Sequence, residues 1–286
     1  VQGLRQRFLA MTRTLEPDAP LLAEVRELSL PSAAGPIRAR LYVPVGAGLP
    51  PGPGIVFYHG GGFTVGDLES HDMVARRLAD ASRCRVLAVD YRRAPEHRFP
   101  AAVDDALAAF AAAASDPELG LDPGRLAVAG DSAGGTLAAV VCQQRLAAGE
   151  AVRPRFQLLF YPLLQLVDIA VSRMDFKDGL LLSAGTLEVV RRSYLPPGQD
   201  PADVRVSPLL NPDLKGLPPA HVLTCGWDPL KDEGRAYADR LAAAGVAVTT
   251  RHYADEVHGF LNLTAVSRTA REVLVETGRI VAGALG

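Results

Sequence analysis

The sequence predicts an α/β fold: a mostly parallel sheet with helices on both faces. Two observations predict it. From Gly54 onward, short apolar runs alternate with amphipathic segments of helical period. The runs are bounded by Gly, Pro and Asp, and several are apolar at nearly every position, as strands buried on both faces must be. Strands that alternate with helices connect in parallel and are covered on both sides.

In chain order, Glu24–Leu30 and Pro36–Val43 read as two short strands joined by Pro and Gly, an antiparallel hairpin at the sheet edge. The Pro/Gly-rich run Gly46–Gly54 reads as a surface loop. Gly54–His59 is the first buried strand, followed by a helix over His71–Ala81 and a strand over Cys84–Tyr91. Pro100–Ala114 reads as a helix with Pro in its first turn. Arg125–Ala129 is the next strand, then a helix from about Gly134 to Ala148, then a strand over Phe156–Tyr161. Leu164–Val206 breaks the rhythm as a long insertion, with a helix near Ser183–Tyr194 and a Pro-rich exit; inserts of that length are usually functional lids. Ala220–Cys225 and Val246–Tyr253 complete the strands, with helices near Lys231–Ala244 and Ala265–Ala282. No internal repeat is evident.

Composition narrows the function classes. The 286 residues are 48% hydrophobic and 22% charged with a net charge of −2. That balance argues against a nucleic-acid partner, which needs clustered Lys and Arg to displace counterions. No apolar run approaches the roughly 18 residues of a membrane-spanning helix. Three cysteines (Cys84, Cys142, Cys225) lie in apolar stretches without CxxC spacing, which predicts buried free thiols and a reducing, cytoplasmic location. The chain opens on Val1 rather than Met, so any segment ahead of it is invisible in the sequence.

Four segments carry chemistry. Gly130-Asp131-Ser132-Ala133-Gly134 follows a strand and opens a helix, which is the context of a nucleophile elbow. GxSxG alone arises by chance in roughly one such chain in ten at ordinary glycine and serine frequencies; the strand–helix placement is what makes Ser132 the candidate nucleophile. His59-Gly60-Gly61-Gly62-Phe63 ends the first buried strand, so its loop reaches the same sheet edge. Consecutive glycines let backbone N–H groups turn inward toward a developing oxyanion, and the donors assigned are Gly61, Gly62 and Ala133. The spacing fits neither GxGxxG nor a P-loop, and His59 reads as a structural residue of the loop.

In folds with this elbow the order is serine, acid, histidine. His258 follows the last strand and precedes the last helix, whereas His59, His71 and His97 precede the serine, His221 opens a strand and His252 lies within one. Asp228 comes just after a strand end. Asp232 and Glu233 fall in the next helix's first turn, where the dipole explains acids, and Asp255 and Glu256 read as loop-surface charges.

Together HGGGF (59–63), YRRAPEHRFPAAVDD (91–105), GDSAGG (130–135), SPLL (207–210), DPLKDEG (228–234) and VHGF (257–260) resemble the hormone-sensitive-lipase-like bacterial esterases of the α/β-hydrolase superfamily. The resemblance runs from about Ala23 to the end. It implies an α/β-hydrolase fold with an eight-stranded, mostly parallel twisted sheet, and a helical cap formed by the N-terminal segment and an insertion after the sixth strand. On this division, 24–163 and 207–286 form the catalytic domain, and 1–23 and 164–206 the cap. It also implies hydrolysis of short-to-medium acyl esters by Ser132, His258 and Asp228, with Gly61, Gly62 and Ala133 as oxyanion donors, no cofactor or metal, a small-molecule ester as partner, and by analogy a homodimer. Phe8, Met11, Met174, Phe176 and Leu180 are candidate lining residues of an acyl pocket. The N-terminal segment is shorter than the family pattern, and Arg93 stands where that pattern is apolar. An amidase or deacetylase would use the same residues. A non-catalytic small-molecule-binding relative would lack the histidine that stands here at His258.

Overall fold

The computed structural model of the chain describes residues 1–12, 19–167 and 181–286. Eight strands form one sheet: β1 (Leu22–Leu30), β2 (Ile37–Pro44), β3 (Gly52–Tyr58), β4 (Arg85–Asp90), β5 (Leu121–Asp131), β6 (Phe156–Phe160), β7 (Ala220–Trp227) and β8 (Val248–Val257). Their spatial order is β1-β2-β4-β3-β5-β6-β7-β8. β2 pairs antiparallel with both β1 and β4, and every later neighbour pair is parallel. The architecture is the expected α/β-hydrolase fold, with the hairpin at one edge.

The helices among the described residues are α1 (Gln2–Thr12), α2 (Asp72–Ser82), α3 (Ala101–Ser115), α4 (Ala133–Ala147), α5 (Ala184–Tyr194), α6 (Lys231–Ala243) and α7 (Arg268–Leu285). The sheet's alternation divides the core in two. Ile55, Phe57, Leu158 and Phe160 pack with Val74 and Leu78 of α2 and with Leu274 and Val281 of α7. Val56, Tyr58, Val128 and Leu159 pack with Phe110 of α3, Leu137 and Val141 of α4, and Leu241 of α6. This two-sided burial is why the strand sequences read as continuous apolar runs. The two late helices that begin at a serine are capped by it. Ser183 accepts from the Thr186 N–H at the start of α5, and Ser267 from the Ala270 N–H at the start of α7.

Three boundaries differ from the sequence reading. β3 begins at Gly52, inside the expected loop, because the Gly52 N–H bonds to the Gly120 carbonyl; Gly-Pro-Gly carries no side-chain alternation to show that pairing. β8 runs four residues past Tyr253, because Val257 pairs with Trp227 beyond a register shift in the β7–β8 pairing, so Asp255 and Glu256 lie on a strand rather than a loop. α1 lies in the N-terminal segment expected to form part of a helical cap, where the sequence sets no helix bounds. Its apolar residues Leu4, Phe8 and Met11 are spaced for one helix face, but that face meets a cleft rather than the core.

All three cysteines are free and buried. No helix among the described residues is long and apolar enough to cross a membrane. Leu158 on β6 is fully buried at the centre of the sheet. Leu158→Ala is expected to cost about 2–5 kcal/mol, read as a fall in Tm of roughly 2–4 °C per kcal/mol in a thermal melt.

Candidate active site

Four loops leave the carboxyl ends of β3, β5, β7 and β8 and meet at one edge of the sheet, where ligand sites of parallel sheets form. β5 ends at Asp131 and α4 begins at Ala133, so the strand-to-helix reversal falls on Ser132 alone. Its backbone sits at φ 52°, ψ −118°, a conformation that costs a non-glycine residue on the order of 1–3 kcal/mol. Neighbouring backbone holds it there: the Ser132 N–H donates to the Phe160 carbonyl at 2.9 Å, and the Leu163 N–H donates to the Ser132 carbonyl at 3.0 Å. α4 also approaches β3 so closely that a Cβ on Gly134 would lie 1.9 Å from the Tyr58 oxygen, which leaves glycine as the only residue that fits.

His258 is the residue after β8, and Asp228 the residue after β7. His258 Nε2 lies 2.9 Å from Ser132 Oγ, and its Nδ1 lies 2.9 Å from Asp228 Oδ2. An acceptor-only carboxylate assigns the ring proton to Nδ1, leaving Nε2 to accept from the serine hydroxyl. Asp228 is fully buried, and its other oxygen accepts the Leu230 N–H at 2.8 Å. The Tyr161 ring packs edge-on to the imidazole with centroids 4.9 Å apart. Nothing in the sequence of a buried tyrosine just after a strand marks this neighbour.

The competing residues have other partners. Of the six histidines, only His258 reaches Ser132 Oγ. His59 is buried, donates from Nδ1 to the Gly60 carbonyl at 2.7 Å, and is pushed down to about 3 by burial, with the neighbouring His71 acting in the same direction. His221 bonds to Thr249 and His252 to Thr224 across β7 and β8. Asp232 and Glu233 do occupy the first turn of α6, but Glu233 does more than meet the helix dipole: it is buried and accepts the Leu164 N–H at 2.8 Å, which anchors the chain after β6.

The glycine loop after β3 is tightly folded. Gly61 has φ 111°, and a Cβ there would lie 2.3 Å from the Val65 oxygen, while its carbonyl accepts from the Thr64 and Val65 N–H groups. The Gly61 and Gly62 amides form no hydrogen bond among the described residues. The Ala133 amide belongs to the first turn of α4, where N–H groups have no intrahelical acceptor. The segment after β4 braces this loop. Tyr91 Oη donates to the His59 carbonyl at 2.7 Å, the Ala94 N–H to the Phe63 carbonyl at 2.8 Å, and Arg93 to the Gly66 carbonyl. Arg93, which carried no reading in the sequence, is thus a tie across the loop.

A cleft of about 430 Å³ opens above Ser132 and His258. Its floor includes Gly61 and Gly62, and its walls include Leu4, Phe8 and Met11 of α1 and Leu187 and Val190 of α5. Of the lining residues expected from sequence, Phe8 and Met11 are there; Met174, Phe176 and Leu180 lie outside the described residues. α1 is held over the loop by Arg5, whose guanidinium donates to the Thr64 and Ala94 carbonyls at 2.7 and 3.0 Å and to the Glu96 carboxylate at 2.7 Å. α5 is held by Tyr194, whose ring stacks on Phe63 at 3.8 Å.

The chain is 47% identical over 256 residues to the carboxylic ester hydrolase LipN of Mycobacterium tuberculosis, covering 86% of this chain and 67% of that one. It is 32% identical to the human arylacetamide deacetylase-like 3, covering 82% of this chain and 72% of that one. Among solved structures, an ester-hydrolase from the metagenome of Lake Arreo, complexed with a derivative of bipyridine phosphonate, superposes with a TM-score of 0.94 at 44% identity, covering 99% of this chain and 90% of that one. The sequence pattern of the alpha/beta hydrolase fold family matches residues 55–262, and with those relatives it shows that the chain belongs to that family, among its hormone-sensitive-lipase-like esterases.

Proposed function

We propose that this carboxylic ester hydrolase cleaves esters of short-to-medium acyl chains through an acyl-enzyme on Ser132, with His258 as general base and Asp228 as its partner. The observation that carries the reading is the continuous hydrogen-bonded line from Ser132 Oγ through the His258 ring to Asp228, each link 2.9 Å. Ser132 Oγ attacks the ester carbonyl carbon as its proton passes to His258 Nε2. The carbonyl oxygen becomes an oxyanion held by the Gly61, Gly62 and Ala133 N–H groups. His258 then gives its proton to the departing alkoxide, which leaves as the alcohol. Water, deprotonated by the same nitrogen, attacks the acyl-enzyme and releases the acid. Asp228 fixes the ring tautomer and offsets the charge that appears on the imidazole.

Residues 1–23 and 164–206 act in this reading as the lid. The support is that α1 and α5 wall the cleft with apolar side chains while Arg5 and Tyr194 tie both helices to the glycine loop. A cleft of this polarity suits an acyl chain or an aromatic alcohol. Hydrolysis of arylacetamides is the second reading, favoured by the human deacetylase-like relative, and the same residues would carry it.

Three outcomes test the proposal. Ser132→Ala should lower turnover of p-nitrophenyl butyrate by at least about 10⁴-fold while the circular-dichroism spectrum stays that of the parent; surviving activity would remove Ser132 as nucleophile. Asp228→Asn should reduce kcat by roughly 10⁴-fold with little change in KM, because the ring is left in the wrong tautomer. Across p-nitrophenyl esters from acetate to laurate, kcat/KM should peak between butyrate and octanoate, each methylene that enters the pocket contributing about 1–3 kcal/mol until it is full. A monotonic rise to laurate, or a preference for p-nitroacetanilide over all esters, would overturn the substrate assignment.

A further inference from the structure

A second Asp–His pair lies behind the first. Asp131 immediately precedes Ser132 and, although it is among the residues lining the cleft, is almost completely buried. One carboxylate oxygen accepts the Gly60 N–H at 2.8 Å. His71 Nε2 lies 3.3 Å from that same oxygen and 3.4 Å from the other. His71 is itself buried, with Nδ1 3.0 Å from Ser70 Oγ, and Ser70 Oγ in turn bonds to the Asp67 backbone. The side-chain amide of Asn262 stands 3.3 Å from His71 Nε2, in the short turn that follows His258.

The pair therefore touches three parts of the site at once: the residue before the nucleophile, the residue before the Gly61–Gly62 donors, and the loop behind His258. A buried carboxylate would otherwise take up a proton. Burial alone would raise the Asp131 carboxyl, but the His71 charge and hydrogen bond, with His59 and the Gly60 amide, outweigh it and hold it below its ordinary value. A carboxylate so placed fixes the Gly60 amide in one direction.

We propose that Asp131 and His71 are positioning residues that lock the glycine loop to the nucleophile elbow, so that the Gly61 and Gly62 amides are aimed before the oxyanion forms. Neither touches substrate; they act through Gly60. This inference rests on the oxyanion role proposed above for Gly61 and Gly62. Preorganised donors stabilise the transition state and not the bound ester, so loosening them lowers kcat and leaves KM nearly alone.

The test compares Asp131→Asn, His71→Leu and His71→Gln with the parent and with Ser132→Ala. Each is assayed for kcat, KM, the pH profile, and inhibition by an alkyl trifluoromethyl ketone. That ketone accepts Ser132 Oγ at its carbonyl carbon and becomes a hemiketal oxyanion as the serine proton passes to His258. Asp131→Asn and His71→Leu should lose roughly 10–10² in kcat, with KM within about threefold and the ketone's inhibition constant weakened by a similar factor. The acid limb of the pH profile should stay in place, because the His258–Asp228 link is untouched. His71→Gln, which keeps an N–H near the Nε2 position, should recover most of the loss, and the Asp131→Asn/His71→Leu double variant should be little worse than either single one. An inhibition constant does not depend on the fraction of protein folded, so it decides the matter even for a poorly folding variant. Parent-like ketone inhibition in both single variants, a change confined to KM, or a displaced acid limb would overturn the proposal. If Ser132→Ala stays active the acyl-enzyme reading itself fails; if Ser132→Ala is dead and Asp131→Asn turns over normally, only the positioning role fails.

Discussion

The turn at Ser132 is the constraint on which the rest of the site depends. A serine at positive φ relaxes unless its surroundings forbid it, and here they do. The residue is bonded through both its N–H and its carbonyl to the chain at and beyond the end of β6, and the helix behind it presses on β3 through Gly134. The strain is offset by the strand pairing and core packing of the whole parallel sheet. The turn points the hydroxyl out of the backbone at the amino end of α4, where the helix dipole favours negative charge.

From that point the other parts follow by strand order. β3 lies beside β5 on one side, so the glycine loop opens next to the serine. β6, β7 and β8 follow on the other side, so Asp228 and His258 arrive from there. Each candidate site residue stands at or within a few positions of a strand end, where the rigid ladder limits its freedom most. The two buried carboxylates show what the fold does with charge. Asp228 is held by a ring nitrogen and a backbone amide, and Asp131 by a ring nitrogen and a different backbone amide. For Asp131, burial works against the charged form, and the ring nitrogen and the amide hold the carboxylate against it.

The covering elements obey a looser rule. α1 and α5 contribute apolar walls; α1 is tied down by a few polar contacts, whereas α5 buries Leu187, Val190 and Tyr194 in the core. Arg5 joins α1 to the glycine loop through the Thr64 carbonyl and to the segment that braces that loop through the Ala94 carbonyl, so in the proposed enzyme the placement of α1 and the aim of the oxyanion donors are mechanically linked. The exposed Arg5–Glu96 contact adds little to stability by itself; its use is to set where α1 lies.

Much of this was legible in the chain. Apolar runs at nearly every position required a sheet covered twice, and Gly61, Gly130 and Gly134 marked backbone approaches that no other residue allows. Chain order then separated His258 and Asp228 from their rivals. These signals are local, set by steric exclusion and periodicity within a few residues. What only the tertiary structure decided lacks such a signature. α1, the strand character of Gly52 and of Asp255–Val257, the tie made by Arg93, the buried bond of Glu233 and the Asp131–His71 pair all depend on which distant backbone groups lie opposite. Sequence determines which residues can bond and which must be buried, but the partner of a buried polar group is fixed by the packing of segments far apart in the chain.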